Sequence, residues 1–213
     1  SETQPYSTEM AAVGAGKLTE AQMWGATPID QMICRIIFKK SRYDGEFTTP
    51  STRQSIIWPG SLGGPNYGSA AIDEANNVMI FAEMRLPLLQ NLLPRDKVTP
   101  DMKYQGEAGP FHPMLGTPYA MQRATFFSPL MIPCLQPPWG TVSAVDLATG
   151  KHIWQQPAGT AKDIAIGSFQ PGLGFTVAPP PLGGAMVTGG GIAWFGAFQD
   201  YYLRPYDSKS GKQ

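Results

Sequence analysis

One form of tight turn recurs along the chain, between short apolar segments that have the length of β-strands. In the clearest copy, 141–154, a strand ends at Asp146, Gly150 follows, and a returning segment ends in tryptophan. The segment 202–212 repeats the first half of this unit, and 71–80 is a looser version. An aspartate side chain can cap such a turn, and glycine supplies the positive φ that it needs. Repeated units of this type are typical of β-propeller blades, which have four strands each.

The segment 46–213 has a β character, because short apolar runs alternate with Gly, Pro, Asn and Asp. The predicted strands are Ser55–Trp58, Ser69–Asp73, Val78–Ala82, Thr141–Asp146, His152–Gln155, Ala185–Thr188, Ile192–Phe195 and Tyr201–Tyr206. Between them lies the Pro-rich stretch 84–138, in which we expect a long irregular loop. Loops of that length usually serve a function or pack against a neighbour.

The first 45 residues have a different pattern. Residues 1–18 are small and polar, and we expect an extended arm there; 19–45 should be a helical segment. Thr19 followed by Gln22 has the form of a capping box. Thr27, with Pro28 after it, predicts the start of a helix over 28–41. Apolar residues at helical spacing predict one apolar face, composed of Ile29, Met32, Ile33, Ile36 and Ile37.

Composition and charge exclude several classes of partner. The formal net charge is zero and the basic residues form no run longer than Lys39-Lys40, so we expect no binding to nucleic acid or to an anionic membrane. No apolar stretch approaches the roughly 18 residues that span a bilayer. Cys34 and Cys134 are the two cysteines. The residues alone are compatible with one disulfide or with two buried thiols.

Common catalytic signals are absent from the sequence. It contains neither a G-x-S-x-G elbow nor a Walker A loop, and its glycine triplet 189–191 lies between strands, unlike a dinucleotide fingerprint. His112 and His152 have no metal-ligand spacing with the cysteines. We expect His152 to be an exposed strand residue, and His112, in a Pro-flanked loop, to lie outside a site. No metal ligand is predicted in this segment.

Two short segments offer polar groups that could line a site. Asp200 lies between two apolar segments, so it is either a backbone cap or a group presented at the mouth of a propeller; the residues alone favour the cap. Asn66 and Tyr67 offer an amide and an aromatic ring, although they also fit a plain Gly-Pro-Asn turn.

Several blocks resemble the membrane-bound PQQ-dependent glucose and quinate/shikimate dehydrogenases, where PQQ is pyrroloquinoline quinone. The longest block is 23–38, followed by Arg42-Tyr-Asp-Gly45. Further blocks are Pro59–Gly64, Pro133–Thr141 and Gln199–Arg204. The blocks keep the order of the family, from about Thr3 to Lys212. Pro59–Gly64, Met84–Leu86 and Asp200–Leu203 resemble the quinate/shikimate branch more than the glucose branch.

This resemblance implies a mainly β fold, namely part of an eight-bladed β-propeller of the quinoprotein dehydrogenase type, with a short helix near the N-terminus and long irregular loops. It implies PQQ and a divalent cation, Ca²⁺ or Mg²⁺, which acts as a Lewis acid on the quinone. The implied partners are a small polyol, sugar or cyclitol substrate, ubiquinone as electron acceptor, and the remainder of the propeller. The implied location is the periplasm, with attachment to the inner membrane through parts absent from this chain. An oxidising compartment favours a Cys34–Cys134 disulfide.

The resemblance also implies roles for individual residues. Asp200 matches an acid that lies near PQQ in the family, and Asn66 and Tyr67 match a cofactor-facing Asn-Trp pair. These three are therefore the expected cofactor-binding residues. Ala82 stands where the family has an Asn close to PQQ, and alanine cannot donate that hydrogen bond. The catalytic base, the PQQ-contacting lysine and the metal ligands of the family lie upstream of this segment.

The sequence therefore predicts part of a PQQ-dependent alcohol dehydrogenase that is inactive as this isolated fragment. Residues 46–213 are expected to form blades, the last of them incomplete, because a returning strand should follow 202–212. One alternative is a membrane-bound glucose dehydrogenase. A second is a non-catalytic propeller segment or binding module, which Ala82 and Tyr67 would fit.

Overall fold

The fold is mainly β, as predicted. The computed structural model describes residues 8, 16–60, 63–65, 68–99, 111–163, 180–196 and 200–213. The described residues contain one α-helix, α1, at Pro28–Lys40, and short 3₁₀ turns at Glu20–Gln22 and Arg95–Lys97. The strands are β1 Ser55–Ile57, β2 Ala70–Asp73, β3 Val78–Met84, β4 Leu88–Pro94, β5 Phe111–Pro113, β6 Tyr119–Thr125, β7 Gly140–Asp146, β8 His152–Pro157, β9 Ala185–Val187, β10 Ile192–Phe195 and β11 Arg204–Asp207.

The start of α1 follows from local sequence. The hydroxyl of Thr27 accepts a hydrogen bond from the Asp30 N–H at 3.1 Å, and Pro28 occupies the first helical position. In the preceding 3₁₀ turn, the N–H of Thr19 donates to Oε1 of Gln22 at 2.8 Å. Both contacts satisfy backbone groups that a helix start leaves unpaired. The predicted helix and the predicted capping-box turn are confirmed.

The face of α1 that is buried differs from the prediction. Among the five residues of the predicted apolar face, Ile29, Met32 and Ile36 are exposed, Ile29 to 68 %. The buried side chains of the helix are those of Asp30, Cys34 and Ile37. Residues 30, 34 and 37 also share a face at helical spacing, so periodicity alone allows either orientation. A disulfide at Cys34 selects the second one.

The chain divides into two compact units, which are described separately. One contains Gly64–Met84 and Pro138–Gln213, and the other contains Ala15–Gly63 and Arg85–Pro137. Each unit is formed from stretches that are distant from one another in the sequence. The division into an arm at 1–18, a helical segment at 19–45 and blades over 46–213 remains a prediction.

The unit built from 15–63 and 85–137 contains an antiparallel sheet with the strand order β1-β4-β6-β5. The strands β4 and β6 pair over their full length, from Leu88 opposite Thr125 to Pro94 opposite Tyr119. The expectation of an irregular loop over 84–138 is therefore wrong for much of this stretch. The run Leu-Leu-Gln-Asn-Leu-Leu of β4 lacks strict alternation, and pairing with a distant strand stabilises it.

A disulfide lies in the core of this unit. Cys34 and Cys134 are bonded, with Cα atoms 5.3 Å apart and no solvent exposure. The apolar side chains around them come from the 3₁₀ turn, the helix and the sheet; among them are Leu18, Met23, Ile37, Ile56, Trp58, Leu89, Phe126 and Leu135. The predicted pairing is confirmed. It joins α1 to the segment after β6 across 100 residues of sequence.

The other unit contains two sheets. One has the strand order β2-β3-β7-β8, and the other has the order β11-β10-β9. Alternate residues of β3 and β7 point to one side, where Ile80, Val142 and Ala144 are fully buried. Side chains of the three-stranded sheet complete the same apolar cluster, including Ala193, Phe195 and Tyr206. Tyr206 stacks on Trp154, and Phe195 meets the Tyr206 ring edge-on.

The recurrent turns have the predicted structure. Oδ1 of Asp146 accepts the N–H groups of Ala148 and Thr149 at 2.9 and 2.7 Å. Oδ1 of Asp207 accepts the equivalent N–H groups, with Ser210 at 2.8 Å. Gly150 and Gly211 have φ values of 66° and 67°. The aspartate cap and the left-handed glycine are thus both confirmed.

The side chain of Trp154 packs against the second of these turns, the one that contains Asp207 and Gly211. Its indole N–H donates to the carbonyl oxygen of Ser208 at 2.9 Å, and its ring lies over Gly211. A Cβ added at Gly211 would be 2.5 Å from the ring. Glycine is therefore required there both for its positive φ and for the close approach of the indole.

Replacing Gly211 tests this contact. We expect Gly211→Ala to lower the free energy of unfolding by roughly 3 kcal/mol, because left-handed strain and overpacking against Trp154 add. Gly116→Ala is the matched control, since φ is 79° there and no atom lies within 4 Å of an added Cβ; it should cost only about 1–2 kcal/mol. Denaturant unfolding measures both, and equal losses would contradict the role given to Trp154.

Candidate functional site

The segment 200–204 is built around a buried carboxylate. Asp200 has no solvent exposure. Its Oδ2 accepts the N–H of Thr160 at 2.9 Å, and its Oδ1 accepts the N–H of Tyr202 at 3.4 Å. Arg204 donates to Oδ2 as well and forms an ion pair with it. Asp200 therefore caps the turn, as its position between two apolar segments suggests, and also holds a cation.

Arg204 lies at the first position of β11, with its side chain 14 % exposed. One of its terminal nitrogens binds Asp200, and the guanidinium lies 5.3 Å from the centre of the Tyr202 ring. Its Nε–H is buried and has no hydrogen-bond partner among the described residues. Buried donors are almost always satisfied, so an unsatisfied one indicates an acceptor that is not among those residues.

The backbone next to Asp200 is in an uncommon conformation. Tyr201 has a φ of 63°, in the left-handed region that bulky residues rarely adopt. Its side chain is 87 % exposed, and those of Tyr202 and Leu203 are exposed to 46 % and 64 %. The segment thus combines a buried ion pair with three large outward-facing side chains.

A second buried acid lies at the turn after β2. Asp73 accepts hydrogen bonds from the hydroxyl of Ser208 at 2.6 Å and from the side-chain amide of Asn76 at 2.8 Å. These bonds, that from Ser208 first, hold the pKa of Asp73 below its ordinary value of 3.8. Asp73 links the turn after β2 to the turn after β11, so its role is structural.

Glu83 is a buried acid that sequence reasoning missed. It has no solvent exposure, lies within β3, and points to the side opposite the apolar cluster, next to Ala82. The amide of Gln155 lies 3.5 Å from its Oε1 and donates to Ser143 at 2.9 Å. An ionisable residue inside an otherwise apolar strand is the signal that could have indicated it.

The other sequence candidates have different outcomes. Asn66 and Tyr67 lie outside the described residues, so their role stays a prediction. Ala82 is buried in the apolar cluster with Val142 and Ala144. His152 is an exposed residue of β8, as expected, whereas His112 is partly buried in β5.

The described residues contain no group of three or more His, Cys, Asp or Glu side chains that could hold a metal ion. In the same part of the chain, no helix has the length and apolar character needed to cross a membrane. Tyr206, close to Arg204 in sequence, is nearly inaccessible, and burial raises its pKa to about 12. Its phenol is therefore a neutral group at physiological pH.

Chemically, the segment 200–204 can orient a guanidinium and offer N–H groups that do not bind Asp200 to an acceptor. Both carboxylate oxygens of Asp200 accept hydrogen bonds from groups of this chain, so Asp200 affects a ligand only by positioning Arg204 and the turn. Of the expected cofactor-binding residues, only Asp200 lies within the described part of the chain.

The comparisons with known proteins all indicate the same family. A family model described as the PQQ-dependent glucose/ethanol/alcohol dehydrogenase β-propeller domain matches residues 1–213. The chain is 45 % identical to a quinate/shikimate dehydrogenase (quinone) of Acinetobacter baylyi, over 100 % of the chain and 27 % of that relative. It is 44 % identical to a probable quinate dehydrogenase (quinone) of Xanthomonas campestris pv. juglandis, over 99 % of the chain and 27 % of the relative. It is 38 % identical to quinoprotein glucose dehydrogenase A of Acinetobacter calcoaceticus, over 100 % of the chain and 26 % of that relative.

The buried acid Asp73 gives a prediction for the pH dependence of stability. A lowered pKa means that the ionised side chain stabilises the fold above pH 3.8, and that this contribution is lost as the pH falls through the lowered value. The Asp73→Asn variant should be less stable than the wild type at pH 7 and should lose less stability between pH 7 and about pH 3. Unfolding free energies at both values measure this. Ser208→Ala should have a similar effect, and equal acid losses in all three proteins would contradict it.

Proposed function

The chain belongs to the PQQ-dependent glucose/ethanol/alcohol dehydrogenase family of β-propeller proteins, and on this basis we propose that it is part of an enzyme that oxidises an alcohol group of quinate or shikimate. The electrons pass to a quinone. The higher identity to the two quinate dehydrogenases than to the glucose enzyme favours a cyclitol over a sugar. The single observation that carries the proposal is the match along the whole chain.

The chain spans about a quarter of the length of these relatives. We therefore assign the substrate base, the PQQ-contacting lysine and the ligands of a divalent cation, Ca²⁺ or Mg²⁺, to residues outside these 213. The isolated chain should not turn over substrate. A periplasmic location is supported by the Cys34–Cys134 disulfide, since such bonds persist in oxidising compartments. Attachment to the inner membrane through other parts of the protein is proposed from the family resemblance alone.

The described residues fit PQQ in one respect. PQQ is a planar quinone with three carboxylates, so its periphery consists largely of hydrogen-bond acceptors. Arg204 has a buried Nε–H without an acceptor among the described residues, and its side chain is not fully enclosed. The guanidinium of Arg204, whose side chain is partly exposed, would pair with a carboxylate or carbonyl of PQQ. Asn66 and Tyr67 are proposed as further cofactor contacts on the strength of the sequence alone.

When bound, PQQ supplies a quinone that takes up two electrons and two protons from an alcohol. The contribution of this chain is to bind and orient. Asp200 holds the guanidinium of Arg204 in one position, and the N–H of Thr160 keeps Asp200 in place. Arg204 keeps its charge at any physiological pH, so its N–H groups remain hydrogen-bond donors.

A non-catalytic segment or binding module is the second candidate. The observation that favours it is Ala82, which is buried among apolar side chains where the family has an amide. An alanine there cannot donate a hydrogen bond to PQQ. A glucose dehydrogenase is the remaining enzymatic alternative.

The direct test is reconstitution of the full-length protein with PQQ and Ca²⁺, followed by dye-reduction assays with quinate, shikimate and glucose. We expect reduction with quinate or shikimate, and weaker or no reduction with glucose. Reduction with glucose alone would select the second enzyme. If the protein binds no PQQ and reduces dye with none of the three, the binding-module alternative is correct.

Variants of the ion pair test the site in the same protein. Arg204→Gln should weaken PQQ binding about 10- to 100-fold, since a hydrogen bond to a charged group is worth about 1.5–3 kcal/mol. Asp200→Asn should weaken it too, because the guanidinium of Arg204 loses the carboxylate that holds it. Asp30→Asn is the matched control, because Asp30 is also a buried aspartate that accepts a backbone N–H, that of Ala26 at 3.0 Å. It should leave PQQ affinity unchanged. Wild-type affinity in Asp200→Asn would return Asp200 to the role of a turn cap.

A further inference from the structure

The ion pair between Asp200 and Arg204 determines which side chain the turn offers to the outside. Four donors fill the Asp200 carboxylate: the N–H and hydroxyl of Thr160, the N–H of Tyr202, and Arg204. With no exposure and no free oxygen, this carboxylate has little capacity left for a ligand. The next residue, Tyr201, projects outward instead.

Tyr201 has an unfavourable backbone conformation, and its side chain is almost completely exposed to solvent. Its φ of 63° suits glycine or asparagine, and its side chain is 87 % exposed. Strained residues persist only where the surrounding structure fixes them, and the bonds of Asp200 to Tyr202 and to the distant Thr160 do so here. An exposed ring at such a position makes few contacts within the chain that would explain its presence.

The chemistry of the tyrosine side chain matches a ring-shaped polyol. Its flat apolar face can cover the C–H groups of a saturated ring, and its phenol can exchange hydrogen bonds with an alcohol. We propose that Tyr201 is a substrate-positioning residue that packs against the ring face of the cyclitol substrate. This inference rests on the proposed function and deepens it, because it assigns substrate contact to Tyr201 and leaves cofactor contact to Arg204.

Phe47 provides the matched control. It is also an aromatic residue with a positive φ, 58°, and with 64 % exposure, but it lies in a turn of the other unit. Replacing Phe47 by asparagine therefore relieves the same backbone strain and removes a similar exposed ring. Any effect that is specific to substrate should be absent from this variant.

The experiment uses the full-length protein loaded with PQQ and Ca²⁺, as the wild type, Tyr201→Asn, Tyr201→Phe and Phe47→Asn. The readouts are KM and kcat for quinate, equilibrium binding of quinate by calorimetry, the affinity for PQQ, and Tm. For Tyr201→Asn we expect KM and the quinate Kd to rise about tenfold, with PQQ affinity within about twofold of the wild type. Tyr201→Phe keeps the ring face and should show a smaller rise. Phe47→Asn should match the wild type.

Each outcome is decisive. Unchanged quinate binding in Tyr201→Asn overturns the inference, and a lower Tm without a change in KM would assign Tyr201 to packing instead. An equal effect of Phe47→Asn also overturns it. If the wild type binds quinate through Tyr201 but reduces no dye, the inference stands and the proposed function fails. If the wild type oxidises quinate and Tyr201→Asn does so with the same KM, only the inference fails.

Discussion

The contact between Trp154 and the turn after β11 holds the end of the strand that begins with Arg204, the proposed cofactor contact. The indole binds the Ser208 carbonyl and covers Gly211, while the hydroxyl of Ser208 binds the buried Asp73. Together these contacts hold one end of β11. Arg204 begins the same strand four residues before Ser208, so we expect the position of the ion pair with Asp200 to depend on this anchoring. Loss of the Trp154 contact should therefore disturb the ion pair at the start of β11.

Features that depend on neighbouring residues could be predicted from the sequence, and features that depend on distant partners could not. The Asp146 and Asp207 turns, and the start of α1 at Thr27, are formed by side chains within four residues, and they were predicted correctly. The strand Leu88–Pro94 was missed because its stability comes from pairing with β6 about 30 residues later. The predicted apolar face of α1 is partly wrong: Ile37 is buried and Ile33 packs against the core, but Ile29, Met32 and Ile36 are exposed. The buried face includes Cys34, whose disulfide partner lies 100 residues away in sequence.

The same distinction holds for the site. Asp200 was recognised as a candidate because an acid between apolar segments is conspicuous, but its partner Thr160 lies 40 residues earlier and could not be inferred. The bond to Arg204, four residues later, is the contact that spacing could have suggested. Nothing in the sequence indicates that Tyr201 has a positive φ, because tyrosine does not favour that conformation. Glu83 was overlooked because a single acid in a strand more often faces solvent.

We propose that the segment 200–204 lies at the rim of the cofactor site, with Arg204 as the contact that this chain supplies. Hydrogen exchange of the full-length protein, with and without PQQ, tests this most directly, because a bound ligand suppresses local opening of the backbone it contacts. The account predicts slower exchange on PQQ binding at the amides of Tyr201–Arg204 and Thr160, and unchanged exchange in the turn 45–48 of the other unit. Bound PQQ that leaves the exchange of 200–204 unaltered would contradict it.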